Sequence, residues 1–216
     1  MKKLVIFDLD GTLLNTIADL GTAANYAMTR MGFPTHSLDD YRFKVGNGIT
    51  KLIERALPPE NRDEATLECA RKFFLDYYGT HNTDMSRPYP GIPELLSTLT
   101  DIGVKTAVAS NKYHEATSRL IGHFFPEVPW VAVEGHRPDR PTKPSPQIVE
   151  AILRIAGADP GQTLYVGDSG VDMDTARNAG IESVGVTWGF RPESELRDHG
   201  AAHIATDPRE LLRYLQ

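Results

Sequence analysis

Leu4-Val5-Ile6-Phe7-Asp8-Leu9-Asp10-Gly11-Thr12 begins with four consecutive apolar residues that stop at a carboxylate, and the rest of the chain is read outward from it. An apolar run this short fits a strand covered on both faces, as in a parallel sheet between helical layers. Similar runs recur at Val104 to Ala109, Trp130 to Val133, Leu164 to Val166 and Val184 to Val186, with a weaker one at His203 to Ala205. Helical stretches separate them, so the expectation is an α/β fold built on a parallel sheet. The first, second and fourth runs lead into Asp8, Ser110 and Asp168. Ligands of open α/β sheets gather outside the carboxyl ends of the strands, which makes these endings the places to look for chemistry.

The stretch from about Thr16 to Ser86 shows helical periodicity and no clear strand. A crossover between parallel strands needs far less chain, so residues 16–86 are expected to form an inserted helical subdomain, and residues 1–15 and 87–216 the core. One helix is expected over Ile17 to Met31, a second from near Ile49 to before Pro58-Pro59, and a third from about Glu60 to Tyr78. Met28 and Met31 read as core filler. Hinges are expected near Leu14 to Thr16 and in Arg87-Pro88-Tyr89-Pro90-Gly91. The length agrees, since 216 residues exceed one typical domain of about 150 without reaching two.

A composition of 40% hydrophobic and 24% charged residues suits a globular chain that folds without staples. Its net charge of −6 argues against a nucleic-acid partner, which needs a positive surface. The single Cys69 allows no internal disulfide and no cysteine-rich zinc site. The start, MKKLVIFD, is too short in apolar residues for a signal-peptide core, and no run reaches membrane-spanning length. A cytoplasmic protein with no membrane partner, monomeric or homodimeric, is expected.

Asp8 and Asp10 share one side of an extended backbone, so two carboxylates face one small space. Alone, they could equally be turn formers before Gly11. Gly167-Asp168-Ser169-Gly170-Val171-Asp172 adds two more carboxylates at another strand end, where Asp168 could also be a turn residue and Asp172 a helix N-cap. Four converging carboxylates need a cation, and an all-oxygen ligand set suits Mg2+. Ser110-Asn111, ahead of a helix expected from near His114, offers an anion site at a helix N-terminus or a plain cap. Lys143 sits between Pro141 and Pro144-Ser145-Pro146, which stiffen its loop. Arg137 and Arg140 make the preceding loop basic, Trp188 to Arg191 reads as packing at a site rim, and the seven histidines show no metal-ligand spacing.

The ordered set Asp8-x-Asp10-Gly11-Thr12, Ser110, Lys143-Pro144 and Gly167-Asp168-x3-Asp172 resembles the haloacid dehalogenase superfamily. Asp172-Met173-x2-Ala176-x-Asn178-Ala179-Gly180 and Val45-Gly46-Asn47-Gly48 make it similar to the phosphoglycolate phosphatase-like branch. The resemblance spans residue 3 to beyond residue 190 and implies a Rossmann-like core with an α-helical cap. It implies Mg-dependent hydrolysis of a small phosphorylated metabolite, 2-phosphoglycolate first, through an aspartyl-phosphate. Asp8 would be the nucleophile and Asp10 the acid and base; Asp10 favours phosphoryl transfer over dehalogenation, since a departing halide needs no proton. Ser110, Lys143, Thr12 and Asn111 would hold phosphate. The metal would rest on Asp8, the Asp10 carbonyl, Asp168 and Asp172. Cap residues Lys44, Gly46, Asn47 and Gly48 would meet the leaving group. Asn15 stands where many relatives carry aspartate. Alternatives on the same scaffold are a sugar-phosphate mutase or a pyrophosphatase, and in another class a non-catalytic phosphate-binding domain.

Overall fold

The computed structural model describes residues 1–216. In chain order the elements are β1 Leu4–Phe7, β2 Leu14–Asn15, α1 Ile17–Arg30, α2 Leu38–Tyr41, α3 Ile49–Ala56, α4 Glu64–His81, β3 Arg87–Pro88, α5 Ile92–Asp101 and β4 Lys105–Tyr113. They continue with α6 His114–Phe124, β5 Ala132–His136, α7 Gln147–Ala156, β6 Thr163–Gly167, α8 Gly170–Asn178, β7 Glu182–Val186, α9 Glu193–Asp198 and β8 His203–Ala205. The chain divides into two compact units, Met1–Asn15 with Pro88–Gln216, and Thr16–Arg87. No helix is long and apolar enough to cross a membrane.

The first unit is a Rossmann-like α/β core with strand order β5-β4-β1-β6-β7-β8, all pairs parallel. Leu4 to Phe7 are buried on both sides because β1 is central. Val5 and Phe7 join the cluster with Leu95, Leu96 and Leu99 of α5 and Leu120 and Ile121 of α6. Leu4 and Ile6 join the one formed with Ile148, Val149 and Ile152 of α7 and Ala176 of α8. Side chains alternate across a strand, so one short apolar run feeds two cores. The chain leaves β1 for β4 and β5, then crosses back to β6 on the other side. The reversal opens a crevice at the carboxyl end of β1.

Strand β4 runs four residues past its expected end. Its register with β5 slips there: Ala109 pairs Glu134 and Tyr113 pairs His136, so the steps between the pairs are four residues on β4 and two on β5. The surplus makes an irregularity over Ser110, Asn111 and Lys112, a device that re-aims side chains at strand ends.

The second unit is helical. Helix α1 covers the expected span almost residue for residue. Helix α4 begins at Glu64, later than the expected Glu60, because Pro59–Asn61 form a short 3-10 turn and Asp63 caps the helix by accepting from the Thr66 N–H at 3.0 Å. Helix α2 was not expected; Ser37 and Asp40 close it with a reciprocal capping box. The two ends of the unit are tied by Asp19, 1% exposed, whose carboxylate accepts from the backbone N–H groups of Met85 at 3.0 Å and Ser86 at 2.8 Å and from the Ser86 hydroxyl at 2.6 Å. Replacing Asp19 by Ala strands these donors and should cost about 3 kcal/mol. Denaturant unfolding of Asp19→Ala and Asp19→Asn checks this; an unchanged midpoint for Asp19→Ala would remove the clamp from the account.

Candidate active site

Asp8 follows β1, its N–H donating to the Val166 carbonyl at 2.9 Å, and Asp168 follows β6. Parallel pairing aligns Phe7 with Val166 and with Val108, so Asp8, Asp168 and Ser110 all lie toward one end of the sheet. Carboxylate oxygens of Asp8, Asp168 and Asp172 lie within 4.8 Å of one another, all three residues buried. Of the four expected carboxylates, Asp10 is not in this group. Its Oδ2 instead pairs with Lys112 Nζ at 3.1 Å.

Lys143 supplies the positive charge among the three. Its Nζ donates to Asp8 Oδ1 and Asp172 Oδ1, each at 2.8 Å, and lies 3.0 Å from the Ala109 carbonyl and 3.1 Å from the Tyr165 hydroxyl. Four acceptors therefore surround three hydrogens. Burial alone would depress this ammonium, but Asp172 and Asp8 outweigh it and hold Lys143 well above the ordinary lysine range. Burial, with the Asp172 carboxylate, pushes Asp8 up to about 7 from 3.8 despite the opposing Lys143. Asp168 is likewise raised, by burial first and then by Asp172 and Asp8. One ammonium among three carboxylates leaves an excess of buried negative charge, and all-oxygen donors at this spacing fit a hard divalent cation.

Asp172 was expected as a possible N-cap; Ser169 takes that place in α8, and Asp172 is its third helical residue. Asp172 Oδ2 accepts from the Ser169 N–H at 3.1 Å and hydroxyl at 2.6 Å, which aims Oδ1 at Lys143. The site around Asp168 is closely built. Phe190 N–H donates to its Oδ2 at 2.7 Å, and Thr12 Oγ1 lies 3.5 Å from its Oδ1. Gly11, at φ +91°, has no room for a Cβ, which would fall on the Asp168 carboxylate. Trp188 Nε1 donates to the Thr12 carbonyl at 3.0 Å, so the Trp188–Phe190 segment holds the first loop and Asp168 as well as packing the rim.

Asn111, expected at phosphate, spends its carboxamide otherwise. Its Nδ2 donates to the Lys143 carbonyl at 3.2 Å and its Oδ1 accepts from the Lys143 N–H at 2.7 Å, bracing the lysine loop. The Ser110 hydroxyl accepts from the Lys112 N–H at 3.2 Å. Arg140 pairs with Glu134 at 2.8 Å and Arg137 donates to His114 Nε2 at 2.7 Å, so both arginines of the basic loop have partners in the core unit. Lys44, Gly46, Asn47 and Gly48 belong to the helical unit. There Arg55 donates to the Lys44 carbonyl at 3.0 Å and to Asn47 Oδ1 at 2.8 Å, with Gly46 and Gly48 at positive φ.

Sequence reading missed Lys112 and Tyr165. The Tyr165 hydroxyl, 3.2 Å from Asp172 Oδ1, is hidden within an apolar run, where a buried phenol requiring a partner was the available signal. Lys112 carries no local signal, because its placement comes from the slip in β4.

Residues 5–186 match the family model described as haloacid dehalogenase-like hydrolase. The chain belongs to that family. This haloacid dehalogenase-like hydrolase is 33% identical over 221 residues to a phosphoglycolate phosphatase of Pseudomonas putida, covering 98% of this chain and 79% of the relative. It is 34% identical over 212 residues to one of Vibrio vulnificus, covering 95% and 90%. A crystal structure from Lactobacillus delbrueckii subsp. bulgaricus, provisionally assigned as a phosphoglycolate phosphatase, superposes with a TM-score of 0.94 at 31% identity, covering 100% of this chain and 99% of the other. These similarities put the hydrolase on the phosphoglycolate phosphatase-like branch of its family.

Proposed function

We propose that this phosphoric monoester hydrolase releases phosphate from a small phosphomonoester, with 2-phosphoglycolate as first candidate, by way of a phosphoryl group carried on Asp8 and with Mg2+ as cofactor. The observation that carries the reading is the buried group of Asp8, Asp168 and Asp172 around the Lys143 ammonium, with Asp10 beside it but outside it. The names of the relatives support the substrate.

Asp8 attacks phosphorus as the bond to the ester oxygen breaks, and Asp10 gives its proton to the departing alkoxide. Asp10 then takes a proton from the water that attacks phosphorus, which frees phosphate and restores the Asp8 carboxylate. Lys143 and the Ser110 hydroxyl hold phosphoryl oxygens, Lys143 also balancing Asp8. Thr12, with its Oγ1 3.5 Å from Asp168 Oδ1, would add a phosphate contact, and Asn111 acts by fixing Lys143. Asp8, Asp168, Asp172 and the Asp10 carbonyl would hold Mg2+, whose charge offsets the repulsion between carboxylate and phosphate when it is bound. The assignment of Lys44 to Gly48 to leaving-group choice rests on the sequence resemblance.

A phosphate-release screen over 2-phosphoglycolate, sugar phosphates, nucleotides and pyrophosphate tests the reading, with isomerisation of glucose 1-phosphate followed alongside. Turnover of 2-phosphoglycolate should lead; isomerisation without phosphate release would replace the hydrolase by a mutase. Chelation should abolish turnover and Mg2+ should restore it. The cation should also stabilise the fold in a pH-dependent way. With Asp8 raised to about 7 from 3.8, its contribution to stability in cation-free protein is fully present below pH 3.8 and lost as pH rises through about 7. Added Mg2+ should therefore raise the melting temperature more at pH 8 than at pH 5. EDTA-resistant turnover, or an equal rise at both pH values, would count against the metal assignment.

A further inference from the structure

Lys112 is buried, with a side chain only 5% exposed, and its Nζ lies 3.1 Å from Asp10 Oδ2. No step of the proposed reaction uses it. A buried ammonium is costly to maintain unless its surroundings answer its charge. Here the partner is the group assigned to protonate the leaving oxygen, which fixes where Lys112 sits: on the leaving-group side of the phosphoryl centre.

To receive a proton, the ester oxygen must come within about 2.6–3.2 Å of the Asp10 carboxylate. Nζ is the same distance from that carboxylate, so both gather around one small group. In an ester of a 2-hydroxy acid, one CH2 separates the carboxylate carbon from the ester oxygen. Bonds of about 1.5 Å then put the carboxylate oxygens roughly 3 Å from that oxygen. An ammonium has three donors and can donate to Asp10 and to a substrate carboxylate together, the second anion joining or displacing the other contacts Lys112 makes. Its main chain is placed by the same feature that places Ser110, since the Lys112 N–H donates to the Ser110 hydroxyl at 3.2 Å. The slip between Ala109 and Tyr113 thus presents a phosphate ligand and a cation for the leaving group from one segment.

We infer that Lys112 is a specificity-determining residue that binds the carboxylate of the leaving group and selects phosphomonoesters of small hydroxy acids. This rests on the reading of Asp10 as the acid for the leaving oxygen. A bare hydroxyl in place of the carboxylate would take only a neutral hydrogen bond, about half as strong.

The test compares 2-phosphoglycolate with 2-hydroxyethyl phosphate, its neutral counterpart of similar size, on wild type, Lys112→Met and Lys112→Arg. Wild type should prefer the carboxylate ester, and Lys112→Met should shrink that preference, as the ratio of kcat/KM values, by about 10- to 100-fold, chiefly through KM. Lys112→Arg should restore part of it. An unchanged ratio, with both esters slowed alike, would reduce Lys112 to a support for Asp10 and overturn the inference. Should Lys112→Met fail to fold, inhibition of wild type decides: glycolate should compete with substrate and ethylene glycol should not, and equal inhibition by both would overturn it. Wild-type preference for neutral esters would overturn it too while leaving the phosphatase reading intact. Absence of turnover on every phosphomonoester in the screen would instead overturn the phosphatase reading, and this inference with it.

Discussion

Asp8→Asn should lower phosphate release by roughly 10^4-fold or more while leaving the protein folded. The substitution keeps shape and removes nucleophilicity, because a neutral amide oxygen cannot open the first step. Its structural cost should be small. Asn offers the Lys143 ammonium, now 2.8 Å from Asp8 Oδ1, an acceptor in the same place. It also removes one negative charge from a buried group that carries too many, so the melting temperature of cation-free protein should hold or rise. A variant that is inactive but no less stable separates chemistry from folding. Mass spectrometry of acid-quenched wild type should find the phosphoryl group on the peptide containing Asp8. Turnover retained by Asp8→Asn would end the nucleophile assignment.

Lys143→Met is expected to fail in both respects. Asp8 and Asp172 would lose their shared ammonium while they stay buried and within 4.8 Å of Asp168 and of each other, at a cost of about 3–5 kcal/mol in cation-free protein. Turnover should fall by about 10^2- to 10^3-fold, because phosphoryl oxygens and Asp8 lose their fixed positive charge. The two effects can be separated. In an Asp8→Asn background one repelling carboxylate is already gone, so Lys143→Met should cost less stability there, a coupling that paired denaturation curves measure. Equal costs in both backgrounds, or full turnover in the single variant, would contradict the electrostatic account.

The parts of the site legible in the sequence are those that sit where an apolar run stops. Asp8, Ser110 and Asp168 each follow an apolar run, and strand ends of a parallel sheet share one side of the molecule whatever lies between them. Lys143, in its rigid proline setting, is legible only in company with the other motifs. What stayed hidden depends on pairings between distant residues. Asn111 reads as a cap or phosphate ligand until Lys143, 32 residues on, takes both ends of its amide. Lys112 carries no signal of its own, because an irregular register between two strands leaves no trace in either one. The capping of α4 was readable in principle: Asp63 stands three residues before Thr66, but the acidic Glu60 next to two prolines offered an earlier start.

The central place of β1 bears on how the chain comes together. Leu4 pairs with Lys105 on one side and Thr163 on the other, so β1 has partners about one hundred and one hundred and sixty residues later. Pairings this distant close slowly, since the entropy of a long loop is lost before the contact is gained. During synthesis Leu4 to Phe7 must wait, apolar and unpaired, while the helices of residues 17–81 form from contacts close along the chain. Asp8 and Asp168 meet only when β6 has docked, so the buried carboxylate group assembles late. A partly made chain would hold the helices of residues 17–81 while the apolar Leu4 to Phe7 still lacked both partner strands.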